Sequence, residues 1–339
     1  MVRPDRLIGR FFGRLQEIHP LAPWIFVLFI LLSVPLLTTN LYQNHLIDII
    51  CINIILAVGL NIVKGFAGQV TVGHMGLYAI GAYSSAILSL NFGFPFWLAL
   101  PAATIITGFA GVIVGVPSFR LEGPYLALAT LGLGETVRMG INVTDYLGST
   151  LGIGEIPSPQ FGDFVFDDPD QYYFLLMPVM LAGIYFSFSI LRSSVGRAFK
   201  ALREDPVSAA AAGINIRKHK LMAFVISALY AGCAGSMYAH LAPGYIHPNN
   251  FTILEMVTLL LMVVLGGLGH TWGGIIGAIV VTLVYDFTRE YYQYQMLIFG
   301  MTIVLTVLFM PKGIGGLIDR YFVTKRFVEA RKKNAENAA

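Results

Sequence analysis

Between two long apolar runs the chain carries KGFAGQVTVGHMG, Lys64–Gly76, in which Gly65, Gly68, Gly73 and Gly76 surround Gln69, Thr71 and His74. Two kinds of work suit such a run. Small residues let helices approach closely in lipid, where no hydrophobic force drives them together. Glycines also permit a broken helix whose freed backbone groups line a solute path. A second stretch, GGLGHTWGGIIG at Gly266–Gly277, repeats the spacing. Gly68, Gly73 and Gly76 correspond to Gly269, Gly274 and Gly277, and Gln69 corresponds to His270. The match suggests two related halves with a similar local path. The candidates for a path or helix break are therefore Gly65, Gly68, Gln69, Gly73, His74 and Gly76, with Gly266, Gly269, His270 and Gly274.

The ionisable members of these stretches have plainer readings too. Lys64 falls at a boundary where a long stem can snorkel its ammonium to the headgroups. His74 falls deeper, where a hydrogen bond to a neighbouring helix is expected before solute contact. Glu135 and Arg138, three residues apart, can pair on one helix face. Asp286, Arg289 and Glu290 cluster near a helix end and read as structural. Covalent chemistry finds no support: the chain has no HExxH zinc pattern and no GxSxG nucleophile turn, and its seven histidines are scattered. We expect no catalytic residue and no metal site.

A third segment, ALREDPVSAAAAGIN at Ala201–Asn215, points to a partner. Asp205 can cap a helix that Pro206 begins, four alanines continue it, and Gly213 ends it. A helix of two turns with basic flanks buries little by itself. It is either a solvated loop or a knob that fits a groove on another protein.

The elements that must hold these residues follow from composition. Hydrophobic residues form 56% of the 339, charged residues 12%, and mean hydropathy is +0.71. A soluble domain carries about 25% charged residues. The long apolar runs are continuous, which excludes a barrel and favours helices, whose backbone groups are satisfied internally. The expected fold is an all-α polytopic membrane protein of about ten transmembrane helices, at 22–39, 46–63, 70–90, 96–116, 124–140, 173–191, 221–242, 252–268, 273–287 and 294–310. The fifth and ninth look short. Cys51 and Cys233 lie inside apolar runs and read as small buried side chains.

Charge placement gives sidedness. Of the 22 lysines and arginines, four lie in the arm 1–20 (Arg3, Arg6, Arg10, Arg14), seven in 192–220 and seven in the tail from Pro311. The segment 141–172 has none, but carries Asp145, Glu155, Asp163, Asp167, Asp168 and Asp170. By the positive-inside rule, both termini and 192–220 are cytoplasmic and 141–172 is external. The expected organisation is a basic arm (1–20), a membrane domain (21–311) and a basic tail (312–339).

Ala201–Gly213, followed by KLMAFVISALYAGCAGSMYAH at Lys220–His240 and VVLGGLGHTWGG at Val263–Gly274, resembles the permease subunits of branched-chain amino acid ABC importers. KGFAGQVTVGHMGLYAIGAY at Lys64–Tyr83 is similar to the same family's first glycine-rich segment. The resemblance spans about 45–316. It implies a coupling loop that docks on an ATPase subunit, here Arg203, Glu204, Asp205, Ala209, Ala210 and Gly213. The general importer pattern of Glu-Ala-Ala, three residues, then Gly is not met, since Val207 stands where Glu would. The resemblance further implies a second permease subunit, a periplasmic substrate-binding protein, an inner-membrane location in the lipid bilayer and no nucleic acid. No Gly-Lys dipeptide occurs, so this chain has no GxxxxGK[ST] phosphate loop, and ATP must be bound by partner subunits. Two alternatives compete: the same kind of permease for urea, amides or aromatic acids, and an ion-coupled carrier. The carrier would need carboxylates near midplane, which only Glu135 and Glu255 approach.

Overall fold

The computed structural model describes residues 40–310 and 313–316. The predicted crossing 22–39, the arm 1–20 and most of the tail 312–339 lie outside the described residues. Among the described residues eleven α-helices of at least six residues run in order: α1 (Leu41–Leu60), α2 (His74–Phe92), α3 (Phe96–Gly115), α4 (Pro124–Val143), α5 (Pro169–Arg192), α6 (Ser194–Glu204), α7 (Pro206–Ala211), α8 (Ile216–Ala239), α9 (Ile253–Gly266), α10 (Gly273–Thr288) and α11 (Tyr292–Phe309). A helix covers most of each of the other nine predicted crossings. The one exception to the all-α expectation is a small hairpin, Gln160–Phe161 paired with Phe164–Val165.

Length and composition separate the helices. Leu41–Phe66, Phe96–Phe119, Pro169–Arg192 and Ile216–Ala239 are long and apolar enough to cross a membrane; Ile253–Gly266 and Gly273–Thr288 are apolar but shorter. The fifth predicted crossing is not short, since α4 runs 20 residues. The ninth is short as expected, with 16 residues in α10, and the eighth is shorter still, because α9 has 14 residues. At 1.5 Å per residue that is about 21 Å, less than the ~30 Å hydrocarbon core. The third starts four residues late, at His74, because residues 67–73 are irregular.

Helix α8 is the hub, packing on α1, α2 and α3. Its small residues permit this: Gly232 and Gly235 meet the α2 backbone around Gly81, with no side chain between. One polar chain runs through this packing. Ser85 Oγ lies 2.7 Å from Ser236 Oγ and 3.0 Å from His240 Nε2, and His240 Nδ1 lies 2.8 Å from the Pro157 carbonyl.

The turns sort onto two ends. One end gathers the acidic segment and the turn after α8: Ile153 and Ile246 form a bridge, and the Tyr245 hydroxyl donates to the Leu151 carbonyl at 2.6 Å. The other end gathers both glycine-rich turns and the basic segment 192–220, where Lys220 Nζ meets Glu122 at 2.7 Å. Charge and geometry agree on which turns share an end.

Candidate functional site

The segment 192–220 folds into two helices with different surfaces. Along α6, Phe199 and Leu202 are buried, which fastens this helix to the bundle. Asp205 then breaks the chain direction. Its carboxylate accepts from the Val207 amide at 3.0 Å and the Ser208 amide at 3.3 Å, capping α7 as the sequence predicts. The Ser208 hydroxyl, and after it the Val207 amide, hold the Asp205 carboxyl below its ordinary pKa. Gly213 ends the knob at φ +84° and Asn215 caps α8 by accepting from the Lys218 amide at 3.0 Å. On α7 only Ala209 is buried; Val207 is 77% exposed, and Ala210 and Gly213 face solvent. Glu204 is exposed at the end of α6.

Arg203 connects this segment to both glycine-rich turns. Its guanidinium donates to the Gly65 carbonyl. Gly68, at φ +69°, lies against it, so that a Cβ there would sit 3.0 Å from Arg203 Cγ. Gly269, at φ +76°, abuts the same guanidinium and leaves no room for a side chain. The matched glycines thus share a left-handed conformation and a common neighbour. Asn61 completes the junction. Buried at 3% exposure, it accepts from the Gly269 amide at 3.0 Å and donates to the His270 carbonyl at 2.9 Å.

The remaining predicted residues serve these breaks in different ways. Gln69 is buried and donates to the Ala67 carbonyl at 3.0 Å, bracing its own turn. Gly73 opens α2 against the Thr130 backbone, and Gly76 meets Gly134 on α4. Gly266 faces Gly273 across the second turn, and Gly274 packs on α1, where an added Cβ would lie 3.1 Å from the Ala57 backbone. His74 is buried, and its Nδ1 lies 3.4 Å from the Ser227 hydroxyl on α8, the expected helix-to-helix contact. Lys64 is partly buried. Glu135 and Arg138 pair at 2.8 Å as expected.

The two breaks are not equivalent throughout. Helices α9 and α10 fold back on each other, whereas α2 leaves α1 and packs on α8 and α3. The repeat holds at the turn itself and diverges beyond it.

Two residues that matter escaped the sequence reading. Asn61 is a lone amide in an apolar run, a signal that could have been used. Asp48 is another such signal: it is fully buried, and neither carboxylate oxygen has a hydrogen-bond partner among the described residues.

Residues 45–307 match the family described as the permease component of the branched-chain amino acid transport system. The chain belongs to this permease family. It is 38% identical over 287 residues to the LivM permease of the high-affinity branched-chain amino acid transport system of Escherichia coli K12, covering 78% of this chain and 67% of that one. It is 25% identical to the LivH permease of the same organism, over 77% of this chain and 90% of that one. It is also 30% identical to the guanosine ABC transporter permease NupQ of Bacillus subtilis, over 51% of this chain and 59% of that one. No solved structure matches. Family and helices together make this a multi-pass membrane protein with a transport role.

Proposed function

We propose that this chain is the permease subunit of an ATP-driven importer of branched-chain or related amino acids in the inner membrane. The observation that carries the reading is the junction at Arg203, where a segment ending in an exposed two-turn knob touches both glycine-rich breaks. The ATPase subunits bind ATP and grip α7, whose exposed Val207 and alanines suit a shallow groove. Their closure displaces α6, which cannot move alone because Phe199 and Leu202 are buried. Arg203 carries the displacement to the turns at Gly65 and Gly269. Because packed interfaces switch between discrete arrangements rather than deform continuously, this biases inward- against outward-open packing. This chain performs no covalent step.

LivM and LivH are both similar to this chain, which supports assembly with a second, non-identical permease subunit. The acidic segment 141–172, read as external, offers a surface to a periplasmic binding protein. Excising Arg203–Gly213 in place tests the loop's role: the expected result is an inserted protein with no uptake, and preserved ATP-linked uptake excludes it.

Two observations favour other readings at specific points. The guanosine permease relative keeps the solute open to other small polar molecules. Buried Asp48 supplies the intramembrane carboxylate that an ion-coupled carrier requires.

A further inference from the structure

A cavity of about 490 Å³ lies among α1, α2, α8, α9 and α10. That volume is within the roughly 300–1,000 Å³ of small-molecule sites. Its mouth, at the acidic-segment end, carries Tyr42, His45, Asp286 and Arg289, with Glu255 on α9 facing the same space. Its depth is lined by buried Ile52, Leu56, Leu259 and Met262, and by Met75, the residue after His74. From Tyr42 to Leu56, α1 rises about 21 Å at 1.5 Å per residue. The cavity therefore extends from the outer end toward the first glycine-rich break.

The sequence reading took Asp286 and Arg289 for structural charges, yet both line this space. Neutral donors hold the carboxylates: the Tyr42 hydroxyl donates to Asp286, and the Tyr285 hydroxyl donates to Glu255 at 3.3 Å. The Tyr42 hydroxyl also interacts with Arg289, so Asp286, Tyr42 and Arg289 form one polar cluster at the mouth. The mouth thus offers two acidic groups and one guanidinium above a floor in which Ile52, Leu56, Leu259 and Met262 supply apolar surface and Asn53 is already bonded to Thr282 at 2.9 Å. A solute that is only anionic meets two like charges, and one that is only apolar leaves the polar mouth unmatched. A molecule with both charges on one carbon and an aliphatic arm satisfies each part.

We propose that this cavity binds an α-amino acid zwitterion, its ammonium group at Glu255 and Asp286, its carboxylate at Arg289 and its aliphatic side chain on Ile52, Leu56 and Met262. The site rests on the amino-acid permease reading and adds to it a solute station inside one subunit. The test is equilibrium binding of radiolabelled leucine to the assembled transporter in nanodiscs, without the soluble binding protein. Glu255→Gln and Arg289→Gln should each weaken leucine binding at least about tenfold. 4-Methylpentanoate, which lacks the ammonium group, should compete weakly in the unaltered complex, better in Glu255→Gln and not at all in Arg289→Gln. Unchanged leucine affinity in both variants overturns the site, and so does an equal loss for every ligand. If either variant does not assemble, Asn249→Cys at the exposed mouth provides a thiol for maleimide: leucine should slow its labelling, and an unchanged rate overturns the site. Absence of ATP-driven uptake of leucine, isoleucine and valine by the unaltered complex defeats the permease reading instead. Normal uptake with unaltered binding in the variants defeats the site alone.

Discussion

Asn61 is the side chain through which the two glycine-rich turns hold each other. Replacing it with alanine removes the hydrogen bonds that Asn61 makes to the Gly269 amide and the His270 carbonyl. An unsatisfied buried group costs roughly 1–3 kcal/mol, so Asn61→Ala should lower the melting temperature of the purified protein; an unchanged melting curve refutes the bridge. Gly68 and Gly269 differ in a way that can also be measured. Both have positive φ, a cost of roughly 1–2 kcal/mol for any other residue. A Cβ at Gly68 would lie 3.0 Å from Arg203 Cγ and 3.1 Å from its Cα, whereas one at Gly269 collides with the guanidinium and lies 2.7 Å from the Gly65 carbonyl. Gly269→Ala should therefore be the more damaging in both melting temperature and uptake, and the reverse order contradicts the assigned packing.

At the scale of elements, α6 and α7 divide anchoring from docking. Val207→Asp places a charge on the exposed knob without disturbing Phe199 or Leu202. The variant should insert normally yet lose ATPase co-purification and uptake; retained co-purification places the docking surface elsewhere. The Asp205 cap has a pH signature. Its folded pKa is depressed, so its contribution is present above the unfolded value and is lost as pH falls through the folded one. The cap, Pro206 and Gly213 were readable because capping is local chemistry. What sequence could not show was the separation of α6 from α5 at Ser193, nor that Arg203 reaches Gly65, 138 residues away. The lateness of α2 was hidden for a related reason: Val70 and Val72 look helical by hydropathy, while Gln69 and Thr130 hold their backbone in an irregular path.

Over the whole molecule, charge placement anticipated which turns lie together, because the energetics of insertion act on short loops one at a time. The hub role of α8 and the outer cavity depend on contacts between distant segments, so the shared space that Asp286 and Arg289 line with Glu255 does not show in local spacing. Asp48 was overlooked because the count of intramembrane carboxylates considered only Glu135 and Glu255. Its presence makes the energy source the decisive question. The direct measurement is uptake of labelled leucine into proteoliposomes by this chain alone and by the chain assembled with its companion permease, binding protein and ATPase subunits. The account predicts accumulation only in the assembled system and only with hydrolysable ATP. Accumulation by the chain alone, driven by a proton or sodium gradient, would contradict it.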